Sequence, residues 1–439
     1  MRSNRASPFF LFVHPIVSTS GVFTVSFLAF LAIGLGFALW LAWRHVSHIR
    51  AHQGAVPSEF ADAVSLGAHQ KAADYSVAKQ KLGMAEAGVE TLLLLALTLG
   101  GGIFAIFQWV QGWFSHPYAV GIALFAGLTV VSGIVSLPFG LYRTFVIEEQ
   151  FGFNKLTWKL YVTDAIKGVL LSAVIGIPLL LAVFWLMEKM GALWWLYVWL
   201  FWLAFSLAML AIYPNFIAPL FNKFQPLADD SLKARIEALL AKCGFASKGL
   251  FIMDGSKRSS HGNAYFTGFG KTKRIVFFDT LIERLSGPEI EAVLAHELGH
   301  FKRKHIVKRI VSQFALTLLV LALMGWIIDK PWFYEGLGFP TGGTQPHVAV
   351  SLLLFFMVLP VFTFWFTPVG SLVSRKHEFE ADAYAAEQTE ARDLISALVK
   401  LYRDNASTLT PDPMHSAVYD SHPPAAIRVA HLKGLARAS

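Results

Sequence analysis

Seven apolar stretches, each long enough to cross a hydrocarbon core of ~30 Å, dominate this 439-residue chain. They run approximately Val22–Trp43, Thr91–Val110, Ala119–Leu137, Gly168–Met187, Leu193–Tyr213, Ile310–Ile328 and Val348–Phe366. Inside lipid every backbone N–H and C=O must be satisfied within the chain, so such stretches are restricted to transmembrane helices. Composition agrees: 55% of residues are hydrophobic and only 15% are charged, which is not a soluble enzyme's surface. Pro178 and Pro360 predict kinks or local unwinding within their spans. Arg2 and Arg5 ahead of the first span imitate a signal peptide, yet Gly21–Leu39 is long and has no clear small-residue cleavage site, so an uncleaved anchor is expected. One cysteine, Cys243, excludes an internal disulfide framework and a Cys-rich metal site; it reads as a small core residue.

Charge orients these spans. The net charge is +8, but the basic residues sit mostly beside apolar spans, where they meet anionic membrane lipids; no nucleic-acid partner is expected. With the N-terminus outside, the inner loops hold Arg44, Arg50, Lys71, Lys79 and Lys81, then Arg143, Lys155, Lys159 and Lys167. The outer loops 111–118, 188–192 and 329–347 hold only Lys189 and Lys330. Lysine and arginine favour the cytoplasmic side, so the odd-numbered connections are cytosolic; Arg2 and Arg5 run against this pattern.

The main aqueous segment lies between spans five and six, about Gln225–Phe301. Leu232–Ala241 reads as a short amphipathic helix. Leu250–Met253, Ala264–Phe266 and Ile275–Phe278 read as strands, the last two joined by a turn at Gly268–Thr272. Ser286, with Glu289 three residues later, forms a capping-box signal for a helix over Glu291–His300 that ends near the membrane. This helix carries His296, Glu297 and His300, a His-Glu-x-x-His motif. Four residues apart, the histidines share one helix face and can bind one Zn2+. Glu378 follows span seven. Two crossings separate it from His300, so it returns to the same side and can meet them.

A catalytic zinc takes histidine and carboxylate ligands and keeps one position for water. His296, His300 and Glu378 make a complete set for one Zn2+ per chain, and Glu297 is the general base that takes the water's proton. Asp382, four residues after Glu378, is placed to bond the other nitrogen of a ligating histidine. Glu380 falls on roughly the opposite face and is a poor ligand. A surface cluster without metal, or a non-enzymatic transporter or channel, is the competing reading; a transporter should carry ionisable residues inside its spans, and these spans carry almost none.

Several segments together resemble the CaaX prenyl proteases of the Ste24 type, integral-membrane zinc metalloproteases of the M48 peptidases, over nearly the whole chain. They are Phe151-Gly-Phe-Asn-Lys155, Pro219-Leu-Phe-Asn-Lys-Phe224, Asp254-Gly-Ser-Lys-Arg-Ser-Ser-His-Gly-Asn-Ala-Tyr-Phe266, His296–His300, Ser374-Arg-Lys-His-Glu-Phe-Glu-Ala-Asp382 and Ser421-His-Pro-Pro424. The resemblance implies a polytopic α-helical membrane protein, its seven helices forming a chamber, with a zincin-like α+β metalloprotease domain on the cytosolic side. It assigns His296, His300 and Glu378 to zinc and Glu297 to base catalysis. It also implies that Asn263, Ala264 and Tyr265 align substrate by strand addition, and that His422 and Arg428 lie near the zinc, to stabilise an oxyanion or hold the substrate's terminal carboxylate.

The expected organisation is residues 1–224 for spans one to five, 225–309 for the zinc segment, 310–370 for spans six and seven, and 371–439 for the C-terminal part of the site. The substrate is a peptide or membrane-associated protein, prenylated or not, with no obligate protein partner. A compact zinc segment and an Ala438-Ser439 end without a dilysine-like retrieval signal lead to the expectation of a bacterial inner-membrane protein. In that setting, trimming of membrane-associated peptides, an HtpX-like quality-control role, is the alternative function.

Overall fold

The computed structural model describes residues 18–267, 272–343 and 345–438. Among these, six helices are long and apolar enough to cross a membrane: Thr19–His52, Pro117–Glu148, Trp158–Lys189, Gly191–Phe221, His305–Ile327 and Val348–Gln388. A bent pair, Leu66–Leu97 with Gly102–Gln111, passes the same test together and, counted as one broken span, brings the number to seven. This corrects the expectation of one continuous span over Thr91–Val110. The pair bends by 54°, because Gly101 takes φ 76° at the break, a left-handed conformation that no helix continues through and that glycine adopts without steric penalty.

The prolines act unequally. Pro178 sits inside the unbroken helix Trp158–Lys189, where the rest of the ladder tolerates one missing N–H. Pro360 lies four residues before a 3-10 turn at Phe364–Phe366, after which the chain resumes as the helix Thr367–Gln388. Pro214 lies in a π-helical stretch, Tyr213–Ile217, which the sequence did not announce.

Packing within spans four and five is uneven along their length. In span four only Phe184 and Met187 are buried, and in the Trp194–Ile212 part of span five only Trp194 and Val198; both pairs flank the short connection that joins these spans. They share a core with Leu124 of span three, Leu321 and Met324 of span six, and Phe333 and Tyr334 of the loop after it. All of these lie at the end away from His300, which directly precedes span six. At the metal side the packing is sparser: span four contributes no buried residue there and span five only Ile217 and Ala218, while Ile49 of span one packs with Ala73 and Val77 of the helix Leu66–Leu97.

At the metal end stands a four-stranded sheet: β1 (Phe224–Pro226), β2 (Ala246–Met253), β3 (Ala264–Thr267) and β4 (Thr272–Phe278), in the order β1-β2-β4-β3. β2 and β4 are parallel, and the other pairs are antiparallel. The three expected strands are present and β1 is additional; residues 268–271 of the expected Gly268–Thr272 turn lie outside the described residues. Helix Asp230–Cys243 starts at Asp229, whose side chain accepts from Leu232 N–H at 2.9 Å, and ends at Gly244 with φ 78°. Its Leu232, Ile236, Leu239, Leu240 and buried Cys243 pack with Ile275 and Phe277 of β4 and with Ile290, Leu294 and Leu298 of the helix Gly287–Lys302. Apolar burial of this kind is the main force docking helices on a sheet.

Two further contacts fix the peptidase segment to the spans. Arg258 forms a fork on Asp164 of span four, at 2.8 and 3.1 Å, and donates to the Phe221 carbonyl at 2.7 Å and to Asn222 Oδ1 at 2.8 Å. Asn154 pairs with Ser259 as an isolated antiparallel bridge, and Lys155 N–H donates to the Arg258 carbonyl at 3.1 Å. These bonds set the position of His261–Asn263, where β3 begins.

Candidate active site

The helix Gly287–Lys302 is held at its start by a capping box between Ser286 and Glu289. Glu289 also accepts from Ser396 at 2.6 Å and Lys400 at 2.7 Å. Burial disfavours its charge, but bonds from Lys400, Ser396 and Ser286 prevail and hold its pKa down to about 2. The helix therefore cannot rotate freely, and His296 and His300 face Glu378 on the helix Thr367–Gln388. Gly299 permits the close crossing: a Cβ there would lie 3.0 Å from Ala381 Cα and 3.2 Å from the Ala381 carbonyl oxygen.

Donor atoms of three residues converge. Nε2 of His296 and Nε2 of His300 are 3.2 Å apart, and Glu378 presents Oε2 at 3.5 Å from the first and Oε1 at 3.4 Å from the second. Tetrahedral zinc with bonds of 2.0–2.2 Å separates its ligands by about 3.4 Å, so the spacing of these two imidazoles and the carboxylate fits the ion. Glu378 Oε2 is buried with no hydrogen-bond partner of its own, as a ligand oxygen would be. Burial opposes its ionisation, but His296 and His300 hold Glu378 well below the usual carboxylate range. Burial likewise opposes a charged His296, while bonds to Asp382 and then Glu378 outweigh it and raise its pKa to about 9. The anionic character that holds this proton is equally suited to a divalent cation.

Each histidine is braced behind. Nδ1 of His296 lies 2.8 Å from Asp382 Oδ1, and Asp382 is fully buried. Arg428 is buried beside it, donating from Nε to Asp382 Oδ2 at 2.9 Å and from Nη2 to Oδ1; its Nη1 stands 3.4 Å from Glu378 Oε2. Burial opposes ionisation of Asp382, and its bonds with His296 and Arg428 keep its pKa low. Nδ1 of His300 lies 3.0 Å from His305 Nδ1, and His305 Nε2 lies 2.9 Å from Glu380. His305 was not anticipated from the sequence; its spacing of five from His300 becomes meaningful only because Lys304, at φ 57°, turns the chain between two helices.

A cavity of about 300 Å³ opens on the converging residues, bordered by Glu297, His422, Arg428, Asn263, Ala264 and Asn405. His422 is exposed, with Nε2 3.5 Å from Glu378 Oε1. β3 is one of the two edge strands of the sheet. The Asn263 carbonyl accepts from Phe278 N–H at 2.9 Å, and Ala264 is registered opposite Phe277. That makes Ala264–Phe277 a non-hydrogen-bonded pair, which turns the amide and carbonyl of Ala264 to the open edge. Tyr265, one residue on, is half-buried and does not border the cavity. Asn405, with Tyr402 and Leu398 of the helix Ala391–Asp404, also lines it; the sequence analysis missed these residues because the helix carries no motif.

Comparison with known proteins places this arrangement. Residues 45–223 match the family model described as CAAX prenyl protease N-terminal, five membrane helices, and residues 226–436 match peptidase family M48. The CAAX prenyl protease 1 homolog of Arabidopsis thaliana is 42% identical over 314 residues, covering 71% of this chain and 73% of the relative. The homolog of Caenorhabditis elegans is 32% identical, covering 93% and 97%. The crystal structure of S. mikatae Ste24p superposes with a TM-score of 0.87 at 33% identity, covering 95% of this chain and all of that one. These relatives are eukaryotic and give the expected bacterial source no support. The chain belongs to the CaaX prenyl protease family of M48 peptidases and is a zinc-dependent integral-membrane endopeptidase.

Proposed function

We propose that His296, His300 and Glu378 hold one Zn2+ per chain, and that Glu297 is the general base for hydrolysis of a peptide bond laid against Asn263–Tyr265. The observation that carries this reading is the convergence of His296 Nε2, His300 Nε2 and the two Glu378 carboxylate oxygens, with separations of 3.2, 3.4 and 3.5 Å. When bound, the metal polarises the scissile carbonyl and makes a nucleophile of water. Glu297 takes the water's proton and returns it to the leaving amine. His422, exposed on the cavity, donates to the oxygen on which charge develops. Arg428 holds Asp382 in place and Asp382 orients His296, so the pair sets the ligand's angle; the guanidinium also brings positive charge to the cavity.

Substrate backbone adds to the open edge of β3, exchanging bonds with Ala264, whose amide it takes over from Asn263 Oδ1 at 2.8 Å. By kinship with proteins named CAAX prenyl protease, the substrate is a C-terminal peptide of a membrane-associated protein, prenylated or of comparable apolar character. The sparse burial along the metal-side part of spans four and five supports an enclosed chamber on the metal side. The loop charges support a site that faces the cytosol; the bacterial inner membrane is not part of this proposal. Mass spectrometry of products from matched prenylated and unprenylated CaaX peptides, with an unrelated amphipathic peptide and the Glu297→Gln protein as controls, tests it. Cleavage three residues from the CaaX end supports the reading, and zinc-dependent cleavage of the amphipathic peptide alone would overturn its substrate part.

A further inference from the structure

Behind the catalytic cavity lies a second one, of about 440 Å³, bordered by Lys79, Gln80, His261, Asn405, Ser407 and Thr408. Asn405 borders both. Its Oδ1 accepts from Gly262 N–H at 3.3 Å and faces His261 Nδ1 at 3.2 Å, so the two spaces meet at the N-terminal end of β3. A peptide added antiparallel to β3, the more stable pairing, runs from the Thr267 side toward Gly262. Its C-terminal residues therefore leave the metal in the direction of this second cavity. We propose that the second cavity receives the free C-terminal carboxylate of the substrate, with Lys79 as the cation that binds it. This rests on the strand-addition reading above.

Distance decides against Arg428 for that task. Three extended residues beyond the scissile bond reach about 10 Å, whereas Arg428 Nη1 is only 3.4 Å from the ligand Glu378, and its other donors are bound to Asp382. Lys79 is differently placed. It is exposed, and its ammonium lies over the Tyr75 ring at 4.8 Å and 3.5 Å from the Tyr75 hydroxyl. Among the described residues no carboxylate stands within ion-pair distance of it. Glu148, the neighbouring acid, is occupied by the Tyr75 hydroxyl and by His261 at 3.5 Å. Gln80, Ser407 and Thr408 add neutral polar side chains to a wall that suits a carboxylate and the last peptide groups, and the volume fits a short peptide end.

The test compares a CaaX-type peptide ending in a free acid with the same peptide ending in an amide, using the full-length protein, Lys79→Ala and Lys79→Arg. Zinc content and thermal stability establish that each variant is folded. Wild type is expected to prefer the acid by roughly tenfold in kcat/KM, the scale of one charge-assisted bond. Lys79→Ala should bring that ratio toward one through a higher KM for the acid, and Lys79→Arg should retain most of it. The tripeptide acid should also inhibit wild type more strongly than its amide, and this difference should vanish in Lys79→Ala. An acid preference that survives in folded Lys79→Ala, or no preference in wild type, overturns the assignment while leaving the zinc peptidase reading intact. If wild type cuts neither peptide yet binds the tripeptide acid through Lys79, the CaaX substrate reading fails and the carboxylate site stands.

Discussion

Nδ1 of His300 lies 3.0 Å from Nδ1 of His305, so one ligand histidine is braced by an imidazole while the other, His296, is braced by the carboxylate of Asp382. A His300 that offers Nε2 to a metal carries its proton on Nδ1 and donates it to His305, whose own proton then sits on Nε2 and is donated to Glu380. Breaking this chain should loosen the metal without removing a ligand. His305→Ala is expected to weaken zinc retention about 10–100-fold, read as the chelator concentration that strips the metal. Wild-type resistance to chelator would remove His305 from the site.

The pair behind His296 is buried more deeply. Asp382→Ala leaves Arg428 in the interior with Glu378 as its remaining carboxylate partner, and breaking a buried pair in this way costs roughly 3–5 kcal/mol. Thermal unfolding in detergent should show a large loss of stability in the peptidase domain together with weaker zinc binding. A variant as stable as wild type would mean that Arg428 finds another partner.

Glu289 gives the helix that carries the ligands a pH dependence. Its pKa falls from 4.5 to about 2 on folding, so its contribution is complete above pH 4.5 and is lost as the pH drops toward 2. Glu289→Gln should be less stable than wild type at neutral pH by roughly 1–2 kcal/mol, for the lost cap and the Lys400 bond. That gap should close between pH 4.5 and 2. A gap independent of pH would show that the charge of Glu289 is not what matters.

The proposed orientation rests on lysine and arginine in the loops. Single cysteines at exposed Lys233 and Lys433, in a Cys243→Ala background, should both react with an impermeant reagent from the cytosolic side of sealed vesicles. Labelling of one from each side would contradict a site built from both segments; labelling of both from outside would reverse the proposed sidedness.

Much of the site was legible because its chemistry is local in sequence. His296, His300, Glu378 and Asp382 lie at helical spacings, and the crossing count alone brings the two pairs to one end. The cap at Ser286 and Glu289 was equally readable. What escaped depended on tertiary contacts. Gly299 matters because of Ala381, Asn405 because the helix before it packs against the metal helix, and His305 because of a single left-handed residue. The break in span two was missed because the high hydropathy of Thr91–Val110 outweighed the Gly100-Gly101-Gly102 run within it, and hydropathy does not register what Gly101 does to the backbone.

The central claim is that His296, His300 and Glu378 bind the metal while Glu297 does the proton transfer. Zinc content and peptide hydrolysis measured side by side on purified His296→Ala, Glu378→Ala and Glu297→Gln test it most directly. Loss of stoichiometric zinc is expected in the first two; Glu297→Gln should keep its zinc and hydrolyse at least about 100-fold more slowly. Full zinc in both ligand variants, or wild-type turnover by Glu297→Gln, would contradict the account.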